Sequence, residues 1–182
     1  MMSVFCNRLI KNNKKGVKLV MYIQGKYLLG GLDNIEECLA IRRKVFGEEQ
    51  QFLSASLENL EDKEAIFELA YEVNEQGEQV SVATGRLIFL EDKFKIGRIA
   101  VKKEFRGKHY GEFIVQMLLE KAFSMGAKEV FVGAQTHAIS FYEKFGFIRQ
   151  EEEYFEDGIY HLLMKIVSAN YQRHCENKES CL

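Results

Sequence analysis

The chain has 182 residues, 47% of them hydrophobic, with 25 Lys and Arg against 27 Asp and Glu and a formal net charge of −2. One domain with a single core accounts for this length, and the near-neutral charge gives no overall basic field of the kind that binds nucleic acid. No segment has the length of a membrane span, and the N-terminus lacks the apolar run of a signal peptide. The four cysteines show no C-x-x-C spacing, so we expect no zinc site, no disulfide framework and a reducing, cytoplasmic location.

Both ends of the chain are polar, and we assign residues 1–17 to a basic N-terminal tail, residues 18–167 to one domain and residues 168–182 to a C-terminal tail. The domain begins with a predicted strand at residues 17–22, which residues 28–31 extend or pair with. Apolar residues then recur at helical spacing over residues 35–46, with Asp33 or Asn34 as the cap. A short helix or loop is expected at residues 48–57.

The middle of the chain alternates β-rich runs with turn signals. Runs at residues 65–73, 80–90 and 94–101 are separated by short polar turns, which predicts three consecutive antiparallel strands. The apolar period then changes to that of a helix over residues 113–123, and the helix is expected to stop at Gly126.

The last third predicts a short buried strand at residues 130–132, a helix at 139–145 and a closing hairpin of residues 147–155 and 159–166 around Asp157-Gly158. The whole order indicates an α/β (α+β) fold, with a mixed central sheet of about six or seven strands flanked by about four helices.

A glycine-rich basic turn precedes the predicted helix at residues 113–123. It follows the strand Ile96-Gly97-Arg98-Ile99-Ala100-Val101 and reads Arg106-Gly107-Lys108-His109-Tyr110-Gly111. Backbone N–H groups at a helix start have no partner within the helix, and the positive end of the helix dipole lies behind them. The glycines let the backbone approach a ligand, and the basic side chains suit phosphate oxygens. The pattern predicts a site for an anion, and for a pyrophosphate in particular.

This turn and a second motif, Phe141-Tyr142-Glu143-Lys144-Phe145-Gly146-Phe147, resemble the GNAT superfamily of acyl-CoA-dependent N-acetyltransferases. The family has a [QR]-x-x-G-x-[GA] loop for the CoA pyrophosphate and an F-Y-x-K-x-G-F segment after the next strand. The resemblance covers residues 35–166, and it implies the GNAT fold, acetyl-CoA as co-substrate and no metal. Segments 45–50 and 155–161 are similar to one uncharacterised bacterial branch of the superfamily.

The resemblance also implies which residues bind CoA. The strand backbone would hold the pantetheine and the thioester carbonyl, the loop would hold the pyrophosphate, and the second motif would complete the site. These residues are Ile99, Ala100, Val101, Arg106, Gly107, Lys108, His109, Tyr110, Gly111, Phe141 and Lys144. His109 departs from the family pattern because it stands where the first Gly of the loop is usual, although His tolerates positive φ better than β-branched residues do.

Acyl transfer from a thioester to an amine needs a polarised carbonyl, a proton for the leaving thiolate and a base for the amine. The resemblance implies Tyr142 as the acid, since the corresponding Tyr of the family often protonates the CoA sulfur. For the base the candidates are Glu49, His161 and one of the carboxylates within residues 151–157, and the sequence leaves this choice open.

We therefore expect an N-acetyltransferase that passes acetyl from acetyl-CoA directly to a primary amine of a small molecule or peptide. Acidic residues 151–153 favour a cationic acceptor, and the resemblance makes a homodimer possible. The alternative is a non-catalytic acyl-CoA-binding or regulatory module, which His109 and the lack of one obvious base favour. Nucleic-acid binding has only the basic N-terminal tail in its favour.

Overall fold

The computed structural model describes residues 10–14, 17–52, 59–74, 76–156 and 158–171. Three parts of the predictions lie outside the described residues: residues 1–9, 15–16 and 172–182 of the two predicted tails, residues 53–57 of the predicted helix or loop, and Asp157 of the predicted turn. Eight strands are present within the described ranges: β1 (Ile10–Lys14), β2 (Val17–Leu29), β3 (Ile66–Val73), β4 (Gln79–Leu90), β5 (Lys93–Val101), β6 (Glu129–Gln135), β7 (Ile148–Glu156) and β8 (Ile159–Val167).

Three α-helices accompany these strands in the described part of the chain: α1 (Glu36–Arg42), α2 (Tyr110–Ser124) and α3 (Ile139–Glu143). A π-helical segment, Arg43–Glu49, continues α1, and the 3₁₀ turn Leu60–Lys63 precedes β3. Ile35 occupies the N-cap position of α1, and the side-chain oxygen of Asn34, one residue earlier, accepts a hydrogen bond of 2.9 Å from the Glu36 N–H. Asp33 instead accepts one from the Leu29 N–H.

The strands form one mixed sheet in the order β1-β2-β3-β4-β5-β6-β8-β7. Neighbours are antiparallel except β5 and β6, which run parallel. The predicted α/β class and mixed sheet are confirmed, and so are the three consecutive antiparallel strands. The sheet has more strands than expected. The predicted N-terminal tail contains β1, which pairs with β2, and β2 is one long strand rather than two short ones.

Helices pack on both faces of the sheet and form two hydrophobic cores. Helices α2 and α3 cover one face with a core that includes Ile96, Ile114 and Leu118. Helix α1 covers the other face with a core that includes Cys38, Phe67 and Ala100. Because successive side chains of a strand point to opposite faces, each residue of β5 belongs either to the α2 face or to the α1 face.

Candidate active site

A cleft opens where β5 and β6 part. The two strands are paired only from Phe94–Ile96 against Val130–Val132; beyond these residues β5 stays with β4 and β6 stays with β8. A cavity of about 590 Å³ lies at the divergence and reaches from the N-terminus of α2 to the α1 face. Main-chain groups along the open edge of β5 have no partner strand in β6 there, so they are available to a ligand.

A β-bulge bends β5 at this point. Thr84 pairs with Ala100 and Arg86 with Gly97, so Arg98 and Ile99 together oppose one residue of β4. Arg98 has φ +51°, in the left-handed region. Bulges of this kind increase local twist and re-aim the strand, which accounts for the separation of β5 from β6.

The loop before α2 forms one mouth of the cleft. Gly107 and His109 have φ values of +74° and +65°, and His109 occupies the position immediately before the helix. The first N–H groups of α2 therefore lack helical partners and face the region between the loop and the cleft. The structure shows that a His accommodates the left-handed conformation that Gly usually supplies.

The predicted cofactor residues divide into two groups. Ile99, Val101, Arg106, Gly111 and Phe141 line the cleft. The other six do not line it. Ala100 is buried in the α1-side core, Lys144 is exposed, and Gly107 and His109 lie in the loop. Tyr110 is buried and its hydroxyl donates a hydrogen bond to Glu72, and the Lys108 ammonium lies 3.7 Å from the same carboxylate.

Arg106 is already bound to a carboxylate. Its two terminal nitrogens donate to Glu49 Oε1 and Oε2 at 2.5 and 2.8 Å, and its Nε donates to the Val101 carbonyl at 3.1 Å. The guanidinium hydrogen bond lowers the pKa of Glu49 below its ordinary value. A carboxylate held in this way is a weaker base, and the pair ties the loop to the π-helical segment.

Tyr142 lies in α3 and lines the cleft. Its ring packs edge-on against Phe141 and Phe147, and its side chain is buried. Burial raises the pKa of Tyr142 well above its ordinary value. The phenol therefore keeps its proton throughout the physiological pH range, which is the form that a general acid requires.

His161 lies on β8, opposite Gln135 of β6 and Tyr154 of β7, and lines the cleft from the α1 side. Its Nδ1 is 3.1 Å from the Ile159 carbonyl, which can only accept, so Nδ1 carries the proton. In the neutral ring Nε2 is then the acceptor. The imidazole stacks on the Tyr154 ring, with centroids 5.4 Å apart and planes 16° apart. This tautomer is the one a general base needs.

A buried charge network supports the α1 side of the cleft. The Arg86 guanidinium, 5% exposed, donates to Asn59, Asp62 and Glu61 at 2.6 to 2.7 Å. Arg42 donates to both oxygens of Asp62 at 3.0 Å. Burial alone would raise the pKa of Asp62, but the two guanidinium groups hold it below its ordinary value. The network anchors the turn before β3 against the sheet.

Sequence reasoning missed several cleft residues: Arg86, Lys95, Arg98 and Tyr154. Glu156, one of the candidate carboxylates within residues 151–157, also lines the cleft. Tyr154 was detectable, because a two-residue turn at 157–158 sets it opposite His161. Its hydroxyl lies against Gly133, where a Cβ would be 1.8 Å away. Glu151 and Glu153 do not line the cleft, and both are exposed.

The model of the acetyltransferase (GNAT) domain matches residues 44–168. The chain belongs to the GNAT family. Over 138 residues it is 33% identical to YyaT of Bacillus subtilis strain 168, covering 75% of this chain and 92% of YyaT. It is 32% identical to the uncharacterized N-acetyltransferase YjcF of the same strain, over 72% of this chain and 91% of YjcF.

The crystal structure of Escherichia coli ElaA has the same fold as this GNAT protein, with a TM-score of 0.66 and 28% identity over 79% of this chain and 98% of that one. The expected fold is thereby confirmed, and acyl-CoA is the acyl donor used by the family. Within the described residues, no group of three or more His, Cys, Asp and Glu side chains is placed to hold a metal ion. None of the helices in the described ranges is long and apolar enough to cross a membrane.

Proposed function

We propose that this GNAT protein is an N-acetyltransferase that moves acetyl from acetyl-CoA directly to a primary amine of a small molecule or peptide. The observation that carries the proposal is the cleft between β5 and β6. At one end it meets the N-terminus of α2, and along its length it has an unpaired strand edge and two side chains suited to proton transfer.

The loop is suited to the pyrophosphate of CoA. The N–H groups at the start of α2 and the helix dipole favour an anion, and Gly111 has no side chain to block its approach. A Cβ at Gly111 would be 3.5 Å from the Phe141 ring, so the passage between helix α2 and Phe141 is narrow. A phosphate would compete with Glu49 for Arg106, and the exposed position of this ion pair makes the exchange inexpensive.

Direct transfer fits the side chains of the cleft. The amine nitrogen attacks the thioester carbon, the C–S bond breaks, and the carbonyl oxygen is stabilised by N–H groups of the open β5 edge. Tyr142 gives its proton to the departing sulfur, and His161 Nε2 accepts the proton lost by the amine. The Glu49–Arg106 pair and the lowered pKa of Glu49 disfavour Glu49 as the base. Glu156, a candidate within residues 151–157 that lines the cleft, already faces Arg98 at 3.6 Å.

The burial of Cys38, the one cysteine within the described residues, disfavours a mechanism through a covalent acetyl-enzyme. Cys38 is fully buried on the inner face of α1, and burial raises its pKa to about 11. A thiol in this state is a poor nucleophile and is remote from solvent.

The second candidate function is a module that binds acyl-CoA without turning it over. The Arg106–Glu49 pair is the observation that favours it, because an arginine already neutralised by a carboxylate attracts a pyrophosphate less strongly.

Calorimetric titration with acetyl-CoA, followed by thiol release with a panel of primary amines, tests both functions. We expect acetyl-CoA binding that Arg106→Gln weakens and that the matched exposed variant Lys103→Gln leaves intact. Binding without amine-dependent thiol release would favour the second candidate. An absence of acetyl-CoA binding would contradict both.

A further inference from the structure

The wall of the cleft on the α1 face has an unusual balance of charge. Among the described residues that line this wall, Arg86, Lys95 and Arg98 are cationic, whereas Glu61 and Glu156 are anionic. Both carboxylates already face a cation: Glu61 binds Arg86 at 2.6 Å, and Glu156 lies 3.6 Å from Arg98. The wall therefore offers no spare negative charge to a cationic acceptor.

Lys95 differs from the other cations of this wall. It lies next to Ile96 of the α2-side core, so its side chain projects to the α1 face. The Lys95 ammonium is 5.8 Å from the Tyr154 ring centre, and within the described part of the chain no carboxylate lies at ion-pair distance from it. Its charge faces the cleft and is available to a ligand.

The position of Lys95 relative to the proposed base suggests what that ligand is. Lys95 and His161 both contact the Tyr154 ring: the ammonium lies 5.8 Å from the ring centre and the imidazole stacks on the ring at 5.4 Å. All three side chains line the same cleft, so an acceptor whose amine reaches His161 has a cation nearby for an anionic group of its own. Above Gly97, beside Lys95 on the same wall, no atom lies within 4 Å of where a Cβ would be.

We infer that the acceptor carries a carboxylate that binds Lys95, so that the substrates are amino acids or related amino carboxylates rather than polyamines. This inference rests on the proposed acetyltransferase function. It replaces the expectation of a cationic acceptor, because Glu151 and Glu153, two of the acidic residues behind that expectation, lie outside the cleft. A charged hydrogen bond of this kind accounts for discrimination of about tenfold or more between acceptors that have and lack the carboxylate.

The test compares matched acceptors by kcat/KM: phenylalanine with phenethylamine, and lysine with cadaverine. We expect the wild type to prefer the carboxylate-bearing member of each pair by about tenfold or more. Lys95→Met should remove the preference by raising KM for that member, and Lys95→Glu should reverse it. Lys93→Met is the matched control, since Lys93 lies on the same strand, packs over Phe131 and is outside the cleft lining.

The possible results distinguish a failure of this inference from a failure of the proposed acetyltransferase function. Thiol release that is equal or faster with the decarboxylated member overturns the carboxylate site and leaves the acetyltransferase standing. A Lys95→Met variant that keeps the wild-type preference, or that weakens acetyl-CoA binding alone, also overturns it. No thiol release with either member of any pair, despite acetyl-CoA binding, refutes the proposed activity and this inference with it.

Discussion

Glu68 places a carboxyl group in the core beneath α2, and its titration should control the pH dependence of stability. The residue is fully buried on β3, and neither of its side-chain oxygens has a hydrogen-bond partner within the described residues. The neighbouring strand closes over it, since a Cβ at Gly25 would be 2.2 Å from Oε1. Burial raises the pKa of Glu68 from 4.5 to about 8.

The perturbation is Glu68→Gln, which keeps the shape of the side chain and removes its titratable carboxyl group. Because the folded pKa exceeds the unfolded one, the unfolded chain loses this proton first as the pH rises. The stabilising contribution is complete below pH 4.5 and is lost as the pH passes through about 8. At about 1.4 kcal/mol per pH unit, the difference between the unfolded and folded pKa values corresponds to a loss of about 5 kcal/mol in the free energy of unfolding. This is a large part of the stability of an ordinary domain.

The assay is urea unfolding between pH 5 and 9, followed by circular dichroism because the chain contains no Trp. The wild type should lose stability from pH 5 to about pH 8 and then level off, and Glu68→Gln should show a much shallower slope whatever its baseline at pH 5. The exposed Glu64→Gln variant is the control and should follow the wild type. Parallel profiles for the wild type and Glu68→Gln would refute the reasoning, since the carboxyl group would then titrate alike in both states.

Three further predictions concern the site and its supports. Tyr142→Phe should lower kcat by about 10² or more while acetyl-CoA affinity, measured by calorimetry, changes little; an equal loss of both would contradict its role as the acid. Asp62→Asn should destabilise the fold by about 3 kcal/mol or more in urea unfolding, because Arg42 and Arg86 stay buried without their carboxylate. If this variant were as stable as the wild type, the charge network would not be needed for stability. His109→Gly should change the free energy of unfolding by less than about 1 kcal/mol, since relief of the left-handed conformation offsets the flexibility of Gly. His109→Val should unfold at a clearly lower urea concentration. Identical unfolding midpoints for both variants would argue against strain at this position.

The elements of the fold were largely predictable because their signals are local. The hairpin turn at residues 91–92 and the end of α2 before Gly126 follow from turn residues and apolar period. The errors lie where local signals are weak. Strand β1 was assigned to a tail because its sequence IKNNK has little apolar content, and its pairing with β2 is what makes it a strand.

The sequence by itself determined the type of fold and predicted an anion site at the loop, because a Gly-rich basic turn before a helix is a signal contained within a few residues. Only the tertiary structure decided how the candidate bases differ. Arg106 and Glu49 are 57 positions apart, and their ion pair depends on how the loop and the π-helical segment meet. Lys95, Tyr154 and His161 likewise come together through the pairing of distant strands. Contacts of this kind are set by the packing of the whole sheet, and no local pattern encodes them.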